Sequence, residues 1–224
     1  DMDRARGLVD QMIEEARVLV KSGKRLQNRM SVSSEDLKQL RSELEKSQQE
    51  AQTDTLTRLV NRRGLEKQME LERIRARQND APFSIILLDI DHFKRVNDQF
   101  GHLVGDSLLK GLAALLAAHL RKKDLAARFG GEEFLILLPE TNIDGAIAVC
   151  EKIRKTLEKK EWKIKESGEV MGKITVSMGV ALYRLNESEK TLIGRADKAL
   201  YMAKENGRDR VFSELDLETV EPVA

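Results

Sequence analysis

The apolar positions divide the chain into two parts with different periods. Over residues 9–51, apolar or small residues recur at alternating spacings of four and three, the pattern of a heptad seam. The members of this seam are Val9, Ile13, Ala16, Val20, Gly23, Leu26, Met30, Ser33, Leu37, Leu40, Leu44, Ser47 and Ala51. The repeat slips in phase once, at Gly23, and several positions carry small or polar side chains. We therefore predict a helical coiled-coil stalk over residues 1–52 with a weak or adjustable seam.

The stalk favours dimerisation, because a stripe with a period of 3.5 residues is buried only against another helix. Two alternatives stay open: a single solvent-exposed linker helix, and a helical hairpin packed on its own domain. Residues 33–36 read Ser-Ser-Glu-Asp, which is typical of a helix N-cap followed by acids. We expect a break or kink near residues 31–34. Our regulatory hypothesis is that a partner protein or an upstream sensor shifts the stalk over residues 23–34.

From residue 53 the pattern becomes that of a mixed α/β domain, which we place at residues 53–213, followed by a loose acidic tail over 214–224. The run 83–89 is apolar apart from Ser84 and Asp89, as expected of a central strand covered on both faces. Gly179 indicates a bulge or a close backbone approach. Further helices are predicted over 106–120, 142–159 and 192–205, and further strands over 174–181 and 210–212. The order of these elements predicts neighbouring antiparallel strands.

A predicted β-hairpin over residues 124–138 contains the most unusual chemistry. Its turn holds Gly130 and Gly131, so a ligand's phosphates have room to approach the backbone closely. Glu132 and Glu133 follow at once, and two adjacent acids are unfavourable unless a cation lies beside them. Taken by itself, the segment leaves open a solvated hairpin with a chance pair of acids.

Asp89 offers a third carboxylate, at the end of the central predicted strand. If that strand is the sheet neighbour of the strand beginning at Glu133, then Asp89, Glu132 and Glu133 converge at one end of the sheet. Oxygen ligands in that number suit Mg²⁺ or Mn²⁺, and the bend at Ile90 offers a backbone carbonyl. Asp91 is a further candidate ligand, but the sequence leaves the direction of its side chain ambiguous.

Composition narrows the class of protein. Lys and Arg number 39 against 38 Asp and Glu, so the net charge of +1 gives no argument for nucleic-acid binding. The single cysteine, Cys150, excludes an internal disulfide and a Cys-based metal cluster, and we interpret it as a core residue. No signal peptide is visible and the longest apolar run, 112–120, is too short for a bilayer, so we expect a cytoplasmic protein without a membrane segment in this chain. The chain begins without Met, which leaves an upstream sensor or membrane segment open.

The ordered motifs of the second part strongly resemble the GGDEF-domain diguanylate cyclases, from residue 54 to residue 212. The matching segments are Asp-Thr-Leu-Thr-Arg-Leu-Val-Asn-Arg-Arg at 54–63, Asp-Ile-Asp-His-Phe-Lys-Arg-Val-Asn-Asp at 89–98, Gly-His-Leu-Val-Gly-Asp at 101–106, Gly-Gly-Glu-Glu-Phe at 130–134, Ser-Met-Gly-Val-Ala at 177–181 and the run 196–208. Departures are mild: Arg58 stands where the family often has Gly, and Asp209 where Asn is usual. Glu132 replaces the eponymous Asp, a substitution that active members carry.

This resemblance implies a palm-like fold similar to class III nucleotidyl cyclases, with a mixed, largely antiparallel central sheet flanked by helices. It also implies an activity: the condensation of two GTP molecules into cyclic di-GMP with release of pyrophosphate. By similarity, Asp89, the carbonyl of Ile90, Glu132 and Glu133 hold Mg²⁺ or Mn²⁺, two ions per active site. Glu132 is also the expected acceptor of the proton from the attacking 3′-hydroxyl group.

The resemblance assigns guanine recognition to Asn97 and Asp106. A carboxylate accepts hydrogen bonds from both the N1–H and the amino group of guanine, a pair of donors that adenine lacks. The alternative for Asp106 is that it only caps the helix that follows it. Phe93 and His102 are expected to line the substrate site, although a loop-packing role for His102 is an equal alternative.

The same resemblance assigns phosphate contacts to Lys94, Lys204 and Arg208, and to the turn of Gly130 and Gly131. Lys204 and Arg208 are four residues apart, so we expect them on one face of a single helix. Ion pairs of these two side chains on a solvated helix surface are the alternative.

Arg121 and Asp124 match the product-inhibition site of the family, and Lys152 lies where an assisting Arg is often found. We expect cyclic di-GMP to bind there. Each GGDEF domain binds one GTP, so two domains must face each other, which predicts a homodimer or a higher oligomer. Two other functions stay open: a receptor that only senses cyclic di-GMP, and a different palm nucleotidyltransferase.

Overall fold

The computed structural model describes residues 51–79, 81–164 and 168–218, together with residues 2, 7, 12, 17, 21–23, 27, 30, 35–41 and 43. The chain divides into two compact units, Asp1–Ala51 and Gln52–Ala224. In the first unit the described residues before Ala51 are helical and exposed. They include four members of the predicted seam, Gly23, Met30, Leu37 and Leu40, and the last three are 67%, 57% and 60% exposed. The expected break at 31–34 and most other seam positions lie outside the described residues.

The second unit is built on a six-stranded sheet with the order β1-β3-β4-β2-β7-β8. Its three central pairs are antiparallel and its two outer pairs, β1 with β3 and β7 with β8, are parallel. The strands are β1 (Val60–Asn61), β2 (Phe83–Ile90), β3 (Leu125–Arg128), β4 (Glu133–Pro139), β7 (Val176–Leu182) and β8 (Val211–Ser213). A separate two-stranded sheet pairs β5 (Trp162–Lys163) with β6 (Val170–Gly172). The mixed, largely antiparallel sheet expected from the sequence is confirmed.

Helices cover both faces of the central sheet, as the apolar run of β2 requires. They are α1 (Arg62–Asn79), α2 (Phe93–Phe100), α3 (His102–His119), α4 (Ile143–Lys159), α5 (Glu189–Glu205) and α6 (Glu214–Glu218). One core joins alternate residues of β2 and β4 to α3 and α4, and a second core joins the other residues of these strands to α1 and α5. None of the helices in the described part of the chain is long and apolar enough to cross a membrane.

Helix α3 begins earlier than the sequence predicts, at His102 instead of residue 106. Gly101 is its N-cap, with a positive φ of 85° that favours glycine, and no side chain caps this end. Asp106 therefore lies within the helix, and its alternative role as the N-cap is wrong.

The expectation of a loose tail is wrong for residues 214–218, which form α6. The carboxylate of Glu214 is buried, accepts a hydrogen bond from the Leu182 amide at 2.8 Å and pairs with Arg184 and Arg195. These partners hold an acidic segment that composition alone predicts to be solvated. Residues 219–224 lie outside the described residues.

Gly179 marks a close approach and not a bulge. The register of β7 with β2 is continuous through Gly179, which lies opposite Leu87. A β-carbon on Gly179 would overlap the backbone of α5 at the Ala196 carbonyl and the Leu200 amide. The absence of a side chain therefore lets α5 lie directly on β7, which positions the end of this helix at the carboxylates described next.

Candidate active site

The three predicted carboxylates meet at one end of the central sheet. Strands β2 and β4 are neighbours, and their register places Asp89 opposite Glu133. Glu132 comes directly before Glu133, at the end of the turn between β3 and β4. The ammonium group of Lys204, in the last turn of α5, lies 3.0 Å from Oδ1 of Asp89. The predicted pairing of the two strands is thus present, and it brings a cation from a distant helix to the acids.

Two of these acids have raised pKa values, and burial is the main cause in both. Burial raises the pKa of Asp89, and the opposing charges of Lys204 and Arg208 do not reverse this shift. Burial also raises the pKa of Glu132, and the negative charges of Asp89 and Glu133 add to that effect. A cation brought to this end of the sheet would lower both pKa values and relieve the repulsion.

The candidate metal ligands are of the type that binds a hard divalent cation. They are carboxylate oxygens, which Mg²⁺ and Mn²⁺ prefer. Ile90 is the last residue of β2 and its side chain is buried, so only its backbone is offered to the site. Within the described ranges, however, no three acidic, histidine or cysteine side chains already stand in an arrangement that would hold a metal. Lys204 pairs with Oδ1 of Asp89, one of the oxygens that a metal could use.

Asp91, which the sequence left ambiguous, is engaged in structural hydrogen bonds. Its carboxylate accepts from the hydroxyl groups of Ser177 and Thr175, at 2.6 and 2.7 Å, and from the backbone amide of Asp209 at 3.0 Å. Both carboxylate oxygens have donors, and the residue is 6% exposed. Asp91 is therefore not placed as a metal ligand.

The Gly130–Gly131 turn is tight for a reason that the sequence does not reveal. The amides of Phe129 and Gly130 both donate to the Glu133 carbonyl, at 2.9 and 3.2 Å. Neither glycine has a positive φ angle. A β-carbon on Gly130 would instead overlap the carboxylate of Glu133, whereas one on Gly131 would meet open space. Gly130 is needed for the position of an acid.

A clamp on this turn was missed by the sequence interpretation. The guanidinium of Arg128 donates to the Gly131 carbonyl at 2.7 Å and pairs with Asp54 at 3.3 Å. Asp54 also accepts from the amide and hydroxyl of Thr57, at 2.8 and 2.6 Å. Burial acts to raise the pKa of Asp54, but the hydrogen bonds from Thr57 and the charge of Arg128 outweigh it and lower the pKa. Asp54 is the first residue of the motif at 54–63, and Arg128 comes two residues before Gly130. Their places in and beside these two motifs are the only feature of the sequence that could have indicated the pairing.

Helices α2 and α3 bring together the two candidate guanine readers. Gly105 of α3 lies against Asn97 of α2 so closely that a β-carbon would overlap the Asn97 amide oxygen. Asp106 follows Gly105 and, like Asn97, is half-buried. Asn97 therefore lies beside the residue that precedes Asp106, where the two helices pack together. His102 is exposed at the start of α3.

The beginning of α2 lies directly after the Asp89–Asp91 segment. Phe93 is buried there, Lys94 is exposed, and the N-cap residue His92 makes no side-chain capping hydrogen bond. Helix amides without a side-chain cap are a ready site for an anion. Lys94, for which a phosphate contact is predicted, thus lies at the N-terminal end of a helix, where the partial positive charge favours an anion.

The expectation that Lys204 and Arg208 share one helix is wrong. Helix α5 ends at Glu205, and Arg208 lies beyond it with a left-handed φ of 60°. The Arg208 amide donates to the Ala203 carbonyl and the Gly207 amide to the Lys204 carbonyl, which is the Schellman motif. Both cations nevertheless act on Asp89, because each opposes the rise in its pKa.

The candidate product site is a turn at the start of β3. The Arg121 amide donates to Oδ2 of Asp124 at 2.8 Å, and the Arg121 side chain is exposed. The other oxygen of Asp124 is buried and has no hydrogen-bond partner among the described residues. Lys152 is exposed on α4, and no recorded contact in the described part of the chain joins it to the turn. The turn therefore offers a cation and an unsatisfied acceptor.

Comparison with known proteins identifies the family. The model of the family described as diguanylate cyclase, GGDEF domain, matches residues 51–210. The match covers well over half of the chain, and the chain belongs to the GGDEF domain family. The recognition made from the motifs is confirmed.

The relatives are longer proteins. Diguanylate cyclase DgcP of Pseudomonas aeruginosa is 42% identical over 186 residues, which are 83% of this chain but 27% of DgcP. The chain spans between 34% and 59% of six further curated relatives.

Solved structures share the fold. The coiled coil and GGDEF domain of DgcB from Caulobacter crescentus, in complex with c-di-GMP, matches with a TM-score of 0.78 at 33% identity, over 84% of this chain and 98% of that chain. Diguanylate cyclase SiaD from Pseudomonas aeruginosa, in complex with its activator SiaC, matches with a TM-score of 0.74 at 32% identity, over 91% and 77%. The fold class expected from the sequence is confirmed.

Proposed function

We propose that this chain is a diguanylate cyclase that condenses two GTP molecules into cyclic di-GMP and pyrophosphate. The observation that carries the proposal is the pairing of Asp89 with Glu133 beside Glu132, at the end of the central sheet, in a chain of the GGDEF family. Because the chain spans only part of its curated relatives, this activity is proposed from its own residues.

Asp89, the Ile90 carbonyl, Glu132 and Glu133 are the groups that would hold Mg²⁺ or Mn²⁺, with two ions per site. Such ions, when bound, supply charge stabilisation to the phosphates and acidify the attacking hydroxyl group. Glu132 is the proposed proton acceptor, because a carboxylate beside a metal-bound hydroxyl group can take its proton.

The proposed substrate contacts lie on both sides of the carboxylates. Asn97 and Asp106 bind the guanine edge where α2 and α3 pack together, with Phe93 and His102 beside them. On the phosphate side, the exposed turn of Gly130 and Gly131 leaves room for the triphosphate. The cations that bind it are Lys94, Lys204 and Arg208. When Lys204 leaves Asp89 for a phosphate oxygen, it exchanges one anion for another and keeps its charge compensated.

Each site is half of the reaction centre, so we propose that two chains pair about a two-fold axis. The exposed seam residues Met30, Leu37 and Leu40 support pairing through the stalk, because a helix face of this kind is stabilised by burial against another helix. A stalk of this kind raises the effective concentration of one catalytic domain near the other.

Two regulatory ligands are proposed. Cyclic di-GMP binds at Arg121 and Asp124, with Lys152 assisting; the unsatisfied oxygen of Asp124 and the c-di-GMP complex of DgcB support this site. A regulatory protein acts on the stalk over residues 23–34, a proposal supported by the activator complex of SiaD. The four residues of β3 join the product site to the Gly130–Gly131 turn.

The test is incubation of the protein with GTP and Mg²⁺, followed by chromatographic separation of the nucleotides. We expect cyclic di-GMP from the wild type and none from Glu132→Gln, whereas Glu70→Gln, an exposed acid on α1, is the matched control with full activity. No cyclic dinucleotide at any protein concentration, with cyclic di-GMP still bound, would favour the receptor function instead.

Arg121→Ala should relieve product inhibition without stopping synthesis.

A further inference from the structure

The turn that carries Arg208 has an unfavourable backbone conformation. Arg208 and Asp209 have φ angles of 60° and 48°, so two consecutive residues with side chains lie in the left-handed region. That region is sterically costly for residues other than glycine, and such residues persist where surrounding contacts hold them. The Schellman motif accounts for the entry into the turn at Gly207 but not for the following two residues.

Asp91 supplies the contact that holds the turn from inside. Its carboxylate, 6% exposed, accepts the Asp209 amide at 3.0 Å while it also accepts the hydroxyl groups of Thr175 and Ser177. The Asp91 amide donates to the Thr175 carbonyl at 3.0 Å, which ties the same residue to the approach of β7. A buried carboxylate with three donors is a rigid anchor, because charge-assisted hydrogen bonds are stronger than neutral ones.

Ion pairs hold the turn from outside. The Asp209 carboxylate pairs with Arg154 of α4 at 3.2 Å and with Lys173 at 3.0 Å. Asp209 therefore has its amide fixed by Asp91 and its side chain fixed by two cations, so the direction of the preceding residue, Arg208, is determined. Asp91 is also two positions from Asp89 on the chain, so the anchor is next to the end of β2 that carries the candidate metal ligand.

We propose that Asp91 is a positioning residue: it fixes the turn of residues 207–209 so that Arg208 directs its guanidinium at the phosphates of a nucleotide bound beside Asp89. This role rests on the proposed function, because it takes GTP as the ligand of that site. It differs from the roles of metal ligand and proton acceptor, since both oxygens of Asp91 already accept hydrogen bonds from the protein.

A double-mutant cycle tests this role. Binding of α,β-methylene-GTP with Mg²⁺ is measured by calorimetry for wild type, Asp91→Ala, Arg208→Ala and the double variant, and KM and kcat for GTP are measured alongside. We expect each single variant to weaken binding roughly tenfold, as for loss of a charge-assisted contact. The double variant should bind no more weakly than Arg208→Ala, because Asp91 acts through Arg208. Losses that multiply in the double variant, or unchanged binding in Asp91→Ala, would overturn the proposal.

Glu214→Ala is the matched control for a loss of stability. Glu214 is a buried carboxylate that, like Asp91, accepts a backbone amide, but at Leu182, toward the opposite end of β2 from Asp89. Both variants should lower the melting temperature, and only the one at Asp91 should change nucleotide affinity. Asp91→Asn, which keeps the side-chain size, serves if Asp91→Ala does not fold, with a smaller loss in the same direction expected. A wild type that binds the analogue but makes no cyclic dinucleotide contradicts the proposed activity alone, and the cycle still decides the role of Asp91.

Discussion

At the scale of single residues, Arg58 occupies a position that suits glycine. Its φ angle is 62°, and its amide donates to the Asp54 carbonyl in the turn before β1. The family often has Gly at this place, and the left-handed conformation explains that preference.

Arg58→Gly should raise the free energy of unfolding by about 1 kcal/mol, because it removes the steric cost of the left-handed conformation. The greater entropy of the unfolded chain offsets part of this gain. Urea denaturation measures the change. The control is Arg77→Gly, in the last turn of α1, where glycine should destabilise by up to ~1 kcal/mol. A loss of stability in Arg58→Gly would contradict this account of the turn.

Glu132 should destabilise the metal-free protein at neutral pH. A carboxyl group whose pKa is higher in the folded than in the unfolded state binds its proton more tightly when folded. The stabilisation that the protonated Glu132 provides is therefore lost as the pH rises from about 4.3, the pKa in the unfolded chain, through the raised pKa in the folded protein.

Thermal unfolding between pH 4 and 7 in the presence of a chelator tests this prediction. The expected difference in melting temperature is on the order of a few degrees. Glu132→Gln should be more stable than wild type at pH 7 and should lose this advantage near pH 4. Addition of Mg²⁺ should stabilise the wild type more than the variant. An advantage of the variant that does not depend on pH would assign the effect to packing instead of charge.

At the scale of elements, the packing of α5 on β7 decides where Lys204 lies. Gly179→Ala should cost about 3 kcal/mol of stability, because the added methyl group meets backbone atoms of α5, which cannot rotate away as a side chain can. Any variant protein that folds should also bind GTP less well, since α5 carries Lys204. Gly194→Ala is the control on the same helix: nothing lies within 4 Å of its β-carbon, and alanine should stabilise the helix by up to ~1 kcal/mol. Equal stability of the two variants would contradict the close approach.

At the scale of the whole molecule, the proposed pairing through the stalk predicts that activity depends on assembly. Leu37→Glu combined with Leu40→Glu places charges on two exposed seam positions and should shift dimerisation and the rate of cyclic di-GMP synthesis to higher protein concentrations. Sedimentation and the rate of synthesis are measured over a range of concentrations. Lys38→Glu changes the charge by the same amount next to the seam and should leave both unaltered. Identical concentration dependence in all three proteins would contradict pairing through the stalk.

The sequence by itself determined the local elements and the identity of the reactive groups. The apolar run at 83–89 predicted β2, found at Phe83–Ile90, because a strand covered on both faces needs apolar residues at successive positions. The residues at 130–133 predicted two adjacent acids, Glu132 and Glu133, at a glycine turn, since turn chemistry is a property of neighbours along the chain. That Asp89 lies opposite Glu133 depended on the pairing of β2 with β4.

Only the tertiary structure decided which distant residues support those groups. Asp91 accepts a hydrogen bond from the Asp209 amide, 118 positions away, and Arg128 pairs with Asp54 across 74 positions. Glu214 is buried at the start of a helix where the sequence predicted a loose tail. Sequence periodicity reports which face of an element is buried, but not which partner lies opposite a polar side chain on that face. Such pairings depend on strand register and on the close approach of helices, which are properties of the folded chain as a whole.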